Sequence, residues 1–330
     1  MTRDMTQGRD LLGHEDAWRE WRAAMASGRM HHAWILAGPE GLGKGSFARA
    51  AAAELVTEAG VPQPPADRHP DIVILEHLPA TNDDQKKKDE GKPYQKRRNI
   101  TIEQIRSVQS RLMTRPTLGN RRAVVIDPVD DLEKGAVNAL LKSLEEPPAG
   151  TFFLLVAHQP GKLLATVRSR CRFLRFAPLD EAAIVSLVAR HAPEADAATV
   201  AAAVAAAEGS PGGALHFIQH GLGRAHELMQ RIVRQGDRDF ALRGALTEEL
   251  GARPDRERLL AAIELARATV AHDALRADRR RQQALIEAHS RLVSLSGQAP
   301  TWNFDPGLLI LEIGGLLALA AMPTETASPA

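Results

Sequence analysis

Short apolar runs without polar alternation recur along the first half of the chain. They predict β-strands, and they fall at 34–37, 72–75, 123–126, 152–157 and 173–176. Stretches with helical spacing, such as 47–56, separate most of these runs. Strands that are apolar on both faces and joined through helices are typical of a parallel sheet covered on both sides. We therefore predict an α/β domain with a parallel sheet over residues 1–178.

Helical periodicity replaces the strand pattern after Pro178. A first helical stretch, 180–208, ends at the glycine-rich segment 209–213. Further amphipathic patterns continue towards the end of the chain, and the last eight residues contain no core-forming side chain. This predicts a small helical domain at 179–235 and an all-helical third domain at 236–330, with a frayed end.

Composition and charge exclude several classes of protein. The chain has 330 residues, of which 44% are hydrophobic and 25% charged, so it has the make-up of an ordinary globular protein. Lys and Arg number 42 against 41 Asp and Glu, which excludes a global positive field for nucleic acid. Cys171 is the single cysteine, so an intrachain disulfide and a four-cysteine zinc site are both excluded. We expect a cytoplasmic protein without zinc or another metal.

Membrane association is not indicated by the sequence. Residues 1–21 mix acidic and basic side chains without an apolar core, unlike a signal peptide. The longest apolar run, 308–322, contains Glu312 and is shorter than the ~20 residues that span a bilayer. We interpret this run as a buried helix.

The segment 81–98 is strongly charged, with seven basic and four acidic residues. It has almost no apolar side chain, and it separates the second predicted strand from the third. We interpret it as a mobile, solvated surface loop. Contact with DNA through its net positive charge is the alternative.

A phosphate-binding loop is predicted between the first strand and the helix that follows it. Residues 38–44 read Gly-Pro-Glu-Gly-Leu-Gly-Lys, which places Gly38, Gly41, Gly43 and Lys44 in the order of such a loop. Glycines allow backbone N–H groups to surround a phosphate, the helix N-terminus favours an anion, and the lysine adds a positive charge.

Two parts of a hydrolytic site are missing around this loop. The position after Lys44 normally carries a hydroxyl that binds magnesium, and here it is Gly45. Asp127, after the third strand, supplies a carboxylate for the metal, but Pro128 stands where a second carboxylate would activate water. We therefore expect no ATPase activity and no required cofactor, with weak ATP or ADP binding as the alternative.

Three further motifs resemble the clamp-loader branch of the AAA+ ATPases. They are Val-Ile-Asp at 125–127, Asn-Ala-Leu-Leu-Lys-Ser-Leu-Glu-Glu-Pro-Pro at 138–148, and Thr-Val-Arg-Ser-Arg-Cys at 166–171. Within that branch, the altered phosphate loop and Gly-Ser-Pro-Gly-Gly-Ala-Leu at 209–215 resemble the delta-prime subunits of bacterial DNA polymerase III. The resemblance is strong over 30–215 and concerns only the architecture beyond.

The resemblance implies a three-domain subunit, with an ATPase-like domain, a helical lid and a helical collar that joins five subunits into a ring. It implies ATPase motor subunits and a clamp-opening subunit as partners, and the sliding clamp and primed DNA as partners of the whole complex. In this family the arginine of the Ser-Arg-Cys motif acts on ATP bound by a neighbouring subunit. By that match Arg170, flanked by Ser169 and Cys171, is the arginine finger.

Two other functions remain as alternatives. One is an active ATPase motor subunit of the same branch, which Gly45, Pro128 and Gly212 argue against together, because Gly212 replaces the family's lid arginine. The other is a P-loop kinase for a small molecule, in which the helical C-terminal third has no evident role.

Glu145 and Glu146 stand next to each other before Pro147. Adjacent residues of a helix point about 100° apart, so the two carboxylates do not converge as a catalytic pair would. We interpret them as the polar end of a helix that stops before the proline.

Overall fold

The structure is a computed structural model, and it describes residues 13–92, 94–251, 254, 256–299 and 305–321. The chain divides into two compact units, Met1–Pro178 and Leu179–Ala330. A further division of the second unit at residue 235 stays a prediction. The expected fraying of the last eight residues lies outside the described part of the chain.

The first unit contains a five-stranded parallel sheet. The strands are β1 (Ala33–Ala37), β2 (Ile72–Leu75), β3 (Arg122–Ile126), β4 (Thr151–Ala157) and β5 (Arg172–Arg175). Their order is β2-β3-β4-β1-β5, and each neighbouring pair is parallel. Every residue of β1 and β3 is buried, as in strands covered on both faces. The predicted α/β fold with a parallel sheet is confirmed.

Helices cover both faces of this sheet. They are α1 (Glu15–Ala26), α2 (Lys44–Val56), α3 (Asn82–Asp89), α4 (Ile102–Leu112), α5 (Lys134–Glu145) and α6 (Ala165–Arg168). Successive residues of a strand point to opposite faces. Accordingly, Trp34 packs in a cluster with Phe47 of α2, whereas Ile35 belongs to the cluster that contains Leu140 of α5.

The charged segment 81–98 is not a structureless loop, because it contains α3. The Thr81 hydroxyl caps this helix by accepting a hydrogen bond of 3.1 Å from the Asp84 backbone N–H. Asp84 is buried, and its carboxylate accepts another hydrogen bond of 3.0 Å from the Gln95 backbone. Capping and carboxylate contacts thus order a helix that has no apolar stripe, which the hydrophobic pattern did not indicate.

A buried ion pair fixes the connection that leads into β3. Asp71 and Arg122 are only 1% and 3% exposed, with Arg122 Nη2 3.7 Å from an Asp71 carboxylate oxygen. The Asp71 carboxylate also accepts hydrogen bonds of 2.7 and 2.8 Å from the backbone of Thr117 and Leu118. Arg122 donates to the carbonyls of Thr114 and Arg115 in this connection and to that of Arg111 in the last turn of α4.

The described part of the second unit is helical and contains no strand. Its helices are α7 (Glu181–His191), α8 (Ala197–Ala206), α9 (Pro211–Gln219), α10 (Gly223–Gln235), α11 (Ala241–Leu250), α12 (Arg256–Ala274), α13 (Arg279–Gln298) and α14 (Pro306–Ala321). One cluster of buried residues extends from Ile184 to Ala320. This confirms the all-helical character predicted after Pro178.

The helix predicted over 180–208 is two helices, α7 and α8. Pro193 lies two residues after the end of α7 and cannot continue a helix. The Asp196 carboxylate then caps α8 by accepting a hydrogen bond of 2.8 Å from the Thr199 backbone. Among the described residues, no helix has the length and apolar character needed to cross a membrane.

Candidate functional site

The predicted site residues lie at two opposite edges of the sheet. The parallel strands β1, β3 and β4 are neighbours, so the residues that follow them meet at one edge, the carboxyl edge. The loop 38–43 and Asp127 lie there, beside His158, which directly follows β4. Residues 169–171 directly precede β5 and therefore lie at the other edge, the amino edge.

The loop 38–43 follows a tight path that depends on its glycines. Gly41 and Gly43 have φ angles of +78° and +80°, a region that side chains disfavour, and Gly43 immediately precedes α2. At Gly38 a Cβ atom would lie 2.5 Å from the Phe176 carbonyl oxygen, so a larger residue has no room. The three glycines therefore permit this tight path from β1 into α2.

Lys44 is the first residue of α2, and its side chain contacts the loop 38–43. It is almost fully buried, with 2% of its surface exposed. Its Nζ atom donates a hydrogen bond of 2.5 Å to the Pro39 carbonyl. Burial lowers the pKa of Lys44 to about 8, although the carboxylates of Glu40, Asp127 and Asp130 oppose the shift. Below about pH 8 the amine is therefore still protonated, and it is held by the Pro39 carbonyl.

The position where magnesium would bind is closed by an arginine. Asp127 Oδ2 lies 3.1 Å from Nη1 of Arg49, and Nη2 of Arg49 lies 3.3 Å from a Glu76 carboxylate oxygen. A Cβ atom at Gly45 would overlap Asp127 Oδ2 and lie 3.1 Å from the Arg49 guanidinium. Gly45 therefore gives the Asp127 carboxylate room to reach Arg49. The residues present do not fit a magnesium ion.

A second carboxylate that follows β3, that of Asp130, is also engaged. Asp130 follows Pro128, and its two oxygens accept hydrogen bonds of 2.5 and 3.3 Å from the backbone N–H groups of His158 and Gln159. These bonds hold the end of β4 next to the end of β3. Asp130 therefore has a structural role here, and it does not replace the carboxylate that is missing at Pro128.

Arg170 lies on the turn between α6 and β5, with 34% of its side chain exposed. Its Nη1 atom donates a hydrogen bond of 2.9 Å to the Thr166 carbonyl. Its Nη2 atom lies 2.7 Å from Oε1 of Glu145, the last residue of α5. The guanidinium is therefore oriented at the surface by two neighbouring elements.

Ser169 and Cys171 support the same turn. The Ser169 hydroxyl donates a hydrogen bond of 3.2 Å to the Thr166 carbonyl. Burial raises the pKa of the Cys171 thiol to about 12, so the thiol stays protonated and unreactive. Its side chain packs against the buried cluster that contains Ile35 and Leu140, as a small apolar residue would.

Arg170 cannot act at the loop of its own chain. In the parallel pair β1 and β5, Trp34 lies opposite Arg172. Gly38 is four residues beyond Trp34, which at ~3.3 Å per residue is roughly 13 Å along the strand. Arg170 lies two residues before Arg172 and so still farther away.

The contacts that two residues make at these sites were not predicted from the sequence. Arg49 stands four residues after Gly45 in α2, so the two share a helix face, and that spacing was a usable signal. Glu145 was interpreted only as a polar helix end, and its contact with Arg170 depends on the packing of α5 against α6.

Comparisons with known proteins agree with the motifs. The family model described as "DNA polymerase III, delta subunit" matches residues 13–180. "DNA polymerase III subunit delta'" of Pseudomonas aeruginosa is 31% identical over 208 residues, which are 59% of this chain and 58% of that protein. The Escherichia coli protein of the same name is 31% identical over 218 residues, 63% of this chain and 60% of that protein.

A third relative is "DNA polymerase III subunit tau" of Salmonella typhimurium, 30% identical over 182 residues, 52% of this chain and 25% of that protein. The chain thus spans less than two thirds of the length of each of these relatives. The resemblance to delta-prime subunits inferred from the motifs is confirmed. Because the family model matches residues 13–180, just over half of the 330 residues, the chain belongs to the DNA polymerase III delta subunit family.

Proposed function

We propose that the chain is a non-hydrolysing, delta-prime-like subunit of a DNA polymerase III clamp loader. It helps to load the sliding clamp on primed DNA and supplies Arg170 to ATP bound by a neighbouring subunit. The observation that carries this proposal is the ion pair between Arg49 and Asp127, since a hydrolytic site needs that carboxylate for magnesium.

Three features around the loop 38–43 argue against ATP hydrolysis by this chain. Gly45 has no hydroxyl for the metal, and the space for one is taken by the Asp127 carboxylate. Pro128 cannot act as a base. Both carboxylate oxygens of Asp130 accept hydrogen bonds from the backbone of the two residues that follow β4.

Arg170 suits a role at another subunit's phosphate. An arginine is always charged and presents a planar fork that matches phosphate oxygens. The residue is partly exposed, and it lies at the edge of the sheet opposite to its own chain's loop. An arginine supplied in this way accelerates phosphoryl transfer by roughly 10³–10⁵-fold.

The proposed partners are ATPase motor subunits and a clamp-opening subunit, with the helical C-terminal region serving as the collar of a hetero-oligomeric ring. The sliding clamp and primed DNA are contacted through the assembled complex. Support comes from the delta-prime and tau subunits among the relatives.

A nucleotide titration of the isolated chain tests the absence of hydrolysis. Calorimetry with ATP, with and without magnesium, should give weak or undetectable binding that does not depend on the metal, and no phosphate should be released. Lys44→Ala serves as the control for any residual binding at the loop. Tight, magnesium-dependent ATP binding with turnover would instead identify an active motor subunit of the same branch.

Co-purification tests the proposed assembly. When the chain is co-expressed with motor and clamp-opening subunits, we expect a stable complex that loads the clamp on primed DNA. A chain that never joins such a complex, although its partners assemble without it, would contradict the proposal.

A further inference from the structure

Glu145 contacts Arg170 from an unfavourable position for a carboxylate. It is the last residue of α5, and the backbone carbonyls at the C-terminal end of a helix disfavour a negative side chain. Its Oε1 atom nevertheless lies 2.7 Å from Nη2 of Arg170. Glu146, the next residue, is also exposed, and its side chain has no ion pair among the described residues.

The guanidinium of Arg170 is held on one side and remains open on another. Nη1 donates to the Thr166 carbonyl at 2.9 Å and weakly to the Ser169 hydroxyl at 3.5 Å, while Nη2 pairs with Glu145. A guanidinium has five N–H donors. Among the residues that the structure describes, these three contacts leave two of the five donors for an outside acceptor.

We propose that Glu145 is a positioning residue that orients Arg170 towards a phosphate of ATP bound by a neighbouring subunit. This inference rests on the proposed function of Arg170. An arginine side chain has many rotamers, and ordering it at the moment of reaction costs entropy. Because Glu145 and the Thr166 carbonyl already fix the guanidinium, that ordering precedes the encounter with the phosphate.

The contact is poorly suited to a purely structural role. The side chains of Arg170 and Glu145 are 34% and 49% exposed, and half-exposed ion pairs add little to folding stability. The contact also does not lock the arginine away, since two donors stay open. Loss of Glu145 should therefore leave the fold unchanged and affect the reaction.

The experiment uses the chain reconstituted with its motor and clamp-opening subunits, and measures DNA- and clamp-stimulated ATP turnover. Four variants are compared: Glu145→Ala, Glu145→Gln, Glu146→Ala and Arg170→Ala. Gln keeps an oxygen that accepts the Nη2–H bond, and Glu146→Ala removes the same charge one residue away. Gel filtration and thermal unfolding of each variant confirm equal assembly and stability.

We expect Glu145→Ala to lower kcat by about tenfold while the KM for ATP stays unchanged, because a misplaced group is felt in the transition state. Glu145→Gln should retain most of the activity, and Glu146→Ala all of it. If Arg170→Ala abolishes stimulation but Glu145→Ala is as active as the unchanged chain, or more active, the inference about Glu145 is overturned and the proposed function stands. If Arg170→Ala has no effect, the proposed function itself fails, and the inference with it.

Discussion

Adding a single methyl group at Gly45 tests whether the metal position is closed. A Cβ atom at this position would overlap Asp127 Oδ2 and lie 3.2 Å from the carboxyl carbon of Asp127. The overlapped atom, Asp127 Oδ2, is the one that lies 3.1 Å from Nη1 of Arg49, so moving it away disturbs this ion pair. Gly45→Ala should therefore break this ion pair and destabilise the first unit.

The size of the effect follows from two opposing contributions. Losing a hydrogen bond between charged groups costs about 1.5–3 kcal/mol, and both side chains are 19% exposed, so solvent screens the pair only in part. Alanine is favoured over glycine in a helix by about 0.5–1 kcal/mol. The net loss is about 1–2 kcal/mol, which lowers Tm by roughly 2–8 °C for a unit of this size.

Tryptophan fluorescence during thermal or urea unfolding measures this change. Three of the four tryptophans, Trp18, Trp21 and Trp34, lie in the first unit. Gly161→Ala is the matched control, because no atom beyond its chain neighbours lies within 4 Å of its added Cβ, and its stability should stay within about 0.5 kcal/mol. In an Asp127→Ala background, Gly45→Ala should be neutral or stabilising. A Gly45→Ala protein as stable as the unchanged chain would refute the closed metal position.

Two further predictions concern buried charges. Because burial lowers the pKa of Lys44 from 10.5 to about 8, the unfolded chain binds more protons between these values, and this residue makes stability rise with pH there. Lys44→Met should then raise the free energy of unfolding by up to about 3 kcal/mol at pH 7 and by little above pH 10. Urea unfolding measures this difference, and equal urea midpoints for the two proteins at pH 7 would contradict the prediction. Asp71→Ala leaves Arg122 buried without its carboxylate and should cost about 3 kcal/mol in urea unfolding, whereas a loss below about 0.5 kcal/mol would show that the pair is dispensable.

The sheet and the phosphate loop were predictable because their signals are local. Uninterrupted apolar runs such as 34–37 and 123–126 indicated buried parallel strands, and the spacing of Gly38, Gly43 and Lys44 indicated the turn into α2. The break between α7 and α8 had a local cause too, Pro193, but the apolar pattern on both sides of it concealed the interruption.

The contacts that determine the candidate sites were not predictable in this way. The pairs Arg49–Asp127 and Arg170–Glu145 join residues 78 and 25 positions apart, and no periodicity connects them. Helix α3 was missed for a related reason, since Asp84 and its partners order it without apolar residues. Each of these features depends on the packing of distant segments.

Turnover of the reconstituted complex with Arg170→Ala tests the proposed role most directly. We expect this variant to fold and assemble normally while DNA- and clamp-stimulated ATP hydrolysis falls well beyond the about tenfold loss expected for Glu145→Ala, since such an arginine accelerates phosphoryl transfer by roughly 10³–10⁵-fold. Arg170→Lys should not restore activity, because lysine lacks the planar fork. Arg168→Ala, an exposed basic neighbour, should have no effect. Unchanged stimulated turnover in a fully assembled Arg170→Ala complex would contradict the role in trans.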